Sequence, residues 1–247
     1  GGGGLRTSCC FVALNAAREI QPRSAANAGI SAAVTARVGY NGPLHALEGP
    51  MGFFAIHTSV RHIDPSTLAP KGAWRSEAIA LKRYSCCHFL QSTIDCALEL
   101  GAKVKLDEIE RIVVAIPPLA VKSVTTQPAI RAYPVNTYRA RFAGHWVVSR
   151  ALTDGLIDLS TFEDYAADRP DVVKLVGQIE IESTDFPNFP RDWPSRIDVH
   201  NRDGSVLSAY SAGEPVAVGP TNENMVLGKF ASNLAFARLD DGAAQRL

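Results

Sequence analysis

The chain has 247 residues, 46% of them hydrophobic, with 25 Lys+Arg balancing 25 Asp+Glu. That length supplies one or two domains with a sizeable core, and a net charge of zero without any basic run or acidic tail argues against nucleic acid and membrane surfaces as partners. No apolar stretch approaches the roughly 18 residues a membrane span needs, and the opening GGGGLRTSCCFVALNAA, with no initiator Met and no basic region before a cleavage site, is not read as a signal peptide.

The first third reads as helical. From Ser24, SAANAGISAAVTARVGYNG places the small residues Ala25, Gly29, Ala32 and Ala36 near one face and Ile30, Val34 and Val38 on a second apolar stripe. Only Asn27, Ser31 and Thr35 form a polar line, so the pattern predicts a helix buried on most sides. Gly39 and Asn41-Gly42-Pro43 end it. A second, Gly-interrupted helix is predicted over LHALEGPMGFFAIH.

The character changes near residues 69–72. EAIALKRYS is strand-like and leads into a helix, SCCHFLQSTIDCALEL. DEIERIVVAIPP reads as a strand stopped by Pro117-Pro118. TYRARFAGHWVVSRALTDG reads as one helix ended by Gly155, and DVVKLVGQ as another. QIEIES and RIDVH alternate strictly, with Ile179, Ile181, Ile197 and Val199 inward and His200 on the solvent face, and Asp203-Gly204 signals a hairpin before SVLSAY. Thr221 is placed as N-cap of a last helix, NENMVLGKFASNLAFARL.

The chemistry-bearing stretch is Cys86-Cys87-His88. Adjacent cysteines point apart and no second spaced pair follows, which disfavours structural zinc. A thiol nucleophile at a helix N-terminus is a second reading, and small core residues a third. The five cysteines include two adjacent pairs, which bridge poorly, so reduced thiols and a cytoplasmic or mitochondrial-matrix location are expected. Beyond them, His88, Gln91, Ser92 and Asp95 recur at helical spacing as a polar stripe, with Lys82, Arg83 and Tyr84 just before. Free backbone N–H groups at a helix start, beside these cations, fit a carboxylate; a solvated face with snorkelling basic residues fits the same pattern. The lone His45, His57, His62 and His200 are read as structural.

Four segments in order resemble the MmgE/PrpD family, which includes 2-methylcitrate dehydratase and cis-aconitate decarboxylase. LKRYSCC with TIDCALEL is similar to the family's K-x-Y-P-x-C…(A/I)-D-A-A-x-x-L. AANAGISAAVTARVGYNGPLHALEGPMGFF, NTYRARFAGHWVVSRALTDG and EPVAVGPTNENMVLGKF carry the other three likenesses, which run from about residue 16 to 230. The resemblance implies an α+β chain: part of an all-helical domain (1–80), a smaller α/β domain with a mainly antiparallel sheet (81–222), and a C-terminal helix (223–247) returning to the helical part. It implies a homodimer and a cofactor-independent lyase, dehydratase or decarboxylase, acting on a small di- or tricarboxylic acid, with no metal. It also implies that the chain starts after the family's long N-terminal helical segment. Two rival readings are a non-catalytic paralogue or fragment acting as a dimerisation partner, and an epimerase of a similar acid.

By this resemblance His88, Lys82, Tyr84 and His145 are the catalytic candidates, and Arg18, Arg141, Cys87, Gln91 and Trp146 the substrate-binding ones. Several positions depart from the family pattern: Arg18 stands for a catalytic Lys, Gln21 and Gln91 for His, Ser85 for Pro, and Trp146 for Tyr. A family His falls at Cys87 or His88. Arginine is a strong bidentate carboxylate clamp but holds its proton at neutral pH, so Arg18 cannot replace a lysine acting as acid or base.

Overall fold

The computed structural model describes residues 15–57, 79–125, 128–217 and 222–238, with side chains from residue 23 onward except residues 129 and 217. The chain divides into two units, 1–74 and 75–247.

In the first unit, α1 spans Asn15–Arg37 and Gly39 ends it at φ 95°. The expected burial of this helix is not observed: Ile30, Val34 and Val38 are 66%, 58% and 70% exposed. An apolar stripe records a tendency to be covered, and no described residue of this unit covers it. The predicted second helix shrinks to α2, Phe53–His57, because residues 44–51 form turns instead. Glycine is needed there: a Cβ on Gly49 would lie 2.5 Å from the His45 carbonyl oxygen.

The second unit is built on a four-stranded sheet ordered β3-β2-β4-β5, with β2 Ile109–Ile116, β3 Ile179–Ser183, β4 Ser195–Asn201 and β5 Val206–Ser211. The α+β character fits the expectation, with one refinement: β2 and β3 pair in parallel, while β2–β4 and β4–β5 are antiparallel. Parallel neighbours require a long crossover, and residues 117–178 supply it. Pro117-Pro118 does stop β2, yet Pro118 also opens a helix, because proline suits a first helical turn. The crossover holds α4 Pro118–Val124, α5 Thr137–Ala140, α6 Gly144–Asp154, α7 Leu159–Glu163 and α8 Pro170–Val176. Asp203-Gly204 makes the β4–β5 turn, with Gly204 at φ 85°. A two-stranded ribbon pairs β1 Ala80–Leu81 with β6 Val216–Ala217, so among the described residues 79–85 the strand-like reading holds for two.

Helix α3, Gln91–Gly101, packs with α6 on one face of the sheet. Ile94 and Leu100 of α3, Val147 and Ala151 of α6, and Ile112, Val114, Ile197 and Val199 of the strands are fully buried. Ile179 is buried too, and Ile181 packs half-buried against this core. The single helix predicted over 137–154 is broken: after α5 the chain turns at Arg141–Ala143 and restarts as α6, which Gly155 ends in the left-handed region at φ 64°. Buried Arg150 fastens the end of α6, reaching Asp154 at 2.5 Å and lying 5.1 Å above the Trp146 ring. Arg169 joins Asp154 to Asp171, whose carboxyl its hydrogen bonds hold down at about 2. The last helix, α9, spans Glu223–Phe236; the Thr221 cap lies outside the described residues, as do Cys9, Cys10 and His62. No described helix is long and apolar enough to cross a membrane.

His145 sits in this core, 2% exposed, and its Nδ1 finds no hydrogen-bond partner among the described residues. Burial, with the Arg131 charge nearby, pushes the imidazole down to about 4. The unfolded chain therefore takes up a proton near pH 6.5 that the folded one refuses until about pH 4, so stability falls as pH drops through that window. Thermal melts between pH 7 and 4 should show His145→Leu losing about 3 kcal/mol less than the native protein across it; parallel curves would contradict this.

Candidate functional site

Four tethers build the site around residues 82–91. The helix expected to start at the cysteines begins later: His88–Leu90 is a 3₁₀ turn and α3 starts at Gln91. Several of the backbone N–H groups expected to stand free there are occupied. Cys86 N–H donates to the Tyr84 carbonyl at 2.9 Å, and Tyr84 N–H to Gln91 Oε1 at 2.8 Å. Gln91 Nε2 in turn donates to the carbonyls of Tyr84 at 3.1 Å and Cys87 at 3.3 Å. One side-chain amide thus closes the turn onto the first residue of α3.

The second tether comes from the break between α5 and α6. Cys87 N–H donates to the Arg141 carbonyl at 2.9 Å, which is available because the helix does not continue there. This carries Arg141 to the turn, its guanidinium 5.6 Å above the Phe162 ring. The third is Asp95, one turn into α3: its Oδ1 accepts from Arg83 Nη1 and from the Tyr84 hydroxyl, both at 2.7 Å. Burial and the Asp95 carboxylate raise the Tyr84 phenol, which stays protonated with its hydrogen committed to Asp95. The fourth is Lys229 of α9, whose ammonium donates to the Lys82 carbonyl.

The electrostatics follow from these positions. Cys86, Cys87 and Cys96 are free thiols in the core. Burial and the neighbouring Cys87 raise Cys86 far above an ordinary thiol, against the opposing charges of Lys82, Lys229 and Arg141; Cys96 is pushed up to about 12 by burial and Asp95. Cys86 and Cys96 are therefore protonated, and all three cysteines are buried as small core groups, the third of the readings above. The charges of Lys82, Arg141 and Lys229 thus all act on one sulfur, and among the described residues none of them is ion-paired with a carboxylate. Arg83, Arg150, Arg169, Arg191 and Arg196 all are.

Half-buried His88 stands beside this cluster. Burial and the Lys82 charge lower its imidazole below the usual value, so it is neutral at pH 7. Its ring meets Trp193 edge-on at 5.8 Å, and Trp193 stacks on Phe89 at 4.3 Å. On this side a cavity of about 330 Å³ opens, lined by His88, Gln91, Ser92, Asp95, Arg83, Leu81, Trp193 and residues 211–216. Its wall is fixed by a close approach: Trp193 N–H donates to the Gly213 carbonyl at 3.0 Å, and a Cβ on Gly213 would fall 1.9 Å from the Trp193 oxygen. The polar stripe read from the sequence, His88, Gln91, Ser92 and Asp95, lines this cavity as a group. Lys82 and Arg141 do not line it; they gather around Cys86.

Of the other candidates, His145 and Trp146 are buried on α6, with Trp146 2% exposed and 6.1 Å from the Phe162 ring. Neither lines the cavity. The side chain of Arg18 lies outside the described residues. Sequence reasoning did not single out Lys229 or Trp193. The lysine was visible inside the GKF ending, with no signal for a carbonyl 147 residues away; Trp193 lies in a loop without periodicity.

Residues 84–246 match the MmgE/PrpD C-terminal domain. The chain belongs to the MmgE/PrpD family. Human cis-aconitate decarboxylase is 28% identical over 214 residues, 80% of this chain and 42% of that protein. The mouse cis-aconitate decarboxylase is 25% identical over 212 residues, with the same coverage. The chain thus spans 42% of the length of these curated relatives. The family match takes in Tyr84, Cys87, Gln91, Asp95, Arg141 and Lys229 of the tethers, and begins just after Lys82 and Arg83.

Gln91→Leu keeps the size of the side chain while stranding one backbone N–H and two carbonyls. It should cost about 2 kcal/mol of stability and speed hydrogen exchange at residues 84–87. An unchanged denaturation midpoint would show that the amide does not hold the turn.

Proposed function

We propose that this MmgE/PrpD member is a lyase acting on a small di- or tricarboxylic acid, by proton transfer next to a carboxylate. The observation that carries the reading is the group of Lys82, Arg141 and Lys229, three cations without carboxylate partners among the described residues, beside a half-buried histidine. Like charges held together are unfavourable unless an anion joins them, and a polycarboxylate is an anion of matching charge. The cis-aconitate decarboxylase relatives support a lyase, and cis-aconitate is the first substrate to test.

In this reading Lys82 and Arg141 grip carboxylates, Arg141 through its planar fork. His88 moves the proton. Neutral when the site is empty, it is a base able to remove a proton alpha to a carboxylate; in a dehydration the departing hydroxide takes that proton back from the histidinium and leaves as water. For decarboxylation the carbon–carboxylate bond breaks, CO2 leaves, and the remaining electron pair takes a proton from the histidinium. A bound polycarboxylate raises the proton affinity of His88 and so primes that role. Tyr84 serves by orienting Asp95 and Arg83, and Cys87 and Gln91 by shaping the turn. We carry forward a homodimer that needs no cofactor. A second reading, an association partner without turnover, draws on the exposed apolar side chains of the first unit, where Leu44 and Met51 are 93% and 82% exposed.

The test is turnover of a panel of di- and tricarboxylic acids, cis-aconitate included, followed by CO2 release and product NMR. His88→Ala and Lys82→Ala should each lower kcat/KM by about 100-fold or more, and Arg141→Ala should act mainly by raising KM. If His88 is the base, kcat/KM falls as pH drops below its depressed titration; if it is the acid, the rate rises instead. Native rates in the His88 and Lys82 variants would remove these residues from the mechanism, and no turnover of any acid would favour the second reading.

A further inference from the structure

Lys229 is the one site group that comes from the last helix, and it is placed where a lysine gains little for itself. Its ammonium is half-buried and donates to the backbone carbonyl of Lys82. It stands next to another lysine and a buried thiol, and burial and the Lys82 charge both disfavour its protonated form, with Cys86 opposing. A lysine that served only to dock α9 would do better pointing to water, where it keeps its side-chain entropy. What the arrangement fixes is the residue it holds. Lys82 lies between Leu81, secured by the β1–β6 ribbon through its register with Val216, and Tyr84, secured by Gln91. The Lys229 bond secures the carbonyl between those two anchors.

We infer that Lys229 is a positioning residue for the reaction: by holding the Lys82 carbonyl it presents the Lys82 ammonium beside His88 and Cys86. This rests on the reading of Lys82 as the carboxylate clamp that sets the substrate against the proton-moving His88. Small displacements of such groups cost large factors in rate, whereas substrate affinity is shared with Arg141 and changes less.

The experiment compares Lys229→Met, which keeps the apolar stem and removes donor and charge, with Lys229→Arg, which keeps both. On whichever acid the native protein turns over, Lys229→Met should lower kcat by about 10- to 100-fold with KM within about threefold of native, and Lys229→Arg should restore most of the rate. A second readout needs no turnover: NMR titration of the His88 ring. The other charged groups around its cavity, Arg83, Asp95 and Glu214, are the same in all three proteins. In Lys229→Met the Lys82 ammonium drifts off and the His88 titration moves up toward an ordinary histidine; in Lys229→Arg it stays low. An unchanged kcat in Lys229→Met, or a His88 titration that does not move, overturns the inference. A native protein inactive on every acid, with the His88 shift present, counts against the lyase reading and supports the positioning geometry.

Discussion

The side-chain amide of Gln91 is the constraint on which the site depends. A turn of two cysteines between a two-residue strand and a helix has no regular ladder of its own, and its backbone polar groups must be satisfied from elsewhere. Gln91 meets three of them with one planar group, giving Oε1 to Tyr84 N–H and Nε2 to the carbonyls of Tyr84 and Cys87. Because Gln91 opens α3, and α3 is packed into the core through Ile94 and Leu100, the turn inherits the rigidity of the sheet and its helices. His88 leaves this turn at a fixed angle, with Trp193 against its edge.

The same geometry explains how charges from three distant segments meet. The Arg141 carbonyl is free for Cys87 because α5 stops there, and Lys229 reaches Lys82 from the last helix. Elsewhere in this unit many exposed basic residues sit beside acidic neighbours, as Lys103 does with Glu99 and Lys105 with Glu108. The site departs from that habit. Its cations lie around a thiol that burial keeps protonated, and among the described residues no carboxylate pairs with them; in the proposed reading a polycarboxylate supplies the compensating charge. Membership of the MmgE/PrpD family gives that arrangement a chemical context, and proteins named cis-aconitate decarboxylase are similar to this chain over 80% of its length.

Much of this was legible in the sequence where local pattern controls structure. The alternation at Ile179–Ser183 and Arg196–His200 gave both strands, Gly155 and Gly204 marked a helix end and a hairpin, and the spacing of His88, Gln91, Ser92 and Asp95 put four polar groups on one cavity wall. What stayed hidden was non-local. Alternation is indifferent to strand direction, so the parallel β2–β3 pair could not be read from it. The break at Arg141–Ala143 carries no proline, and its reason, a hydrogen bond to Cys87, lies 54 residues away in the chain. The free helix start expected at Cys86 failed because the side chain of Gln91, read as part of a polar face, instead turns back to the backbone. The stripe on α1 was read correctly as apolar and wrongly as covered, since a sequence pattern cannot supply the surface that covers it.

The central claim is that the turn at residues 82–91, held by Gln91, gathers cations to bind a polycarboxylate. Titration of the isotope-labelled protein with propane-1,2,3-tricarboxylate, a saturated acid with no double bond to react, tests it most directly. Saturable shifts confined to the amides of residues 82–91, the His88 ring and the Arg141 and Lys229 side chains are expected, weakening as salt is raised. Shifts elsewhere on the molecule with none at these positions would contradict the account.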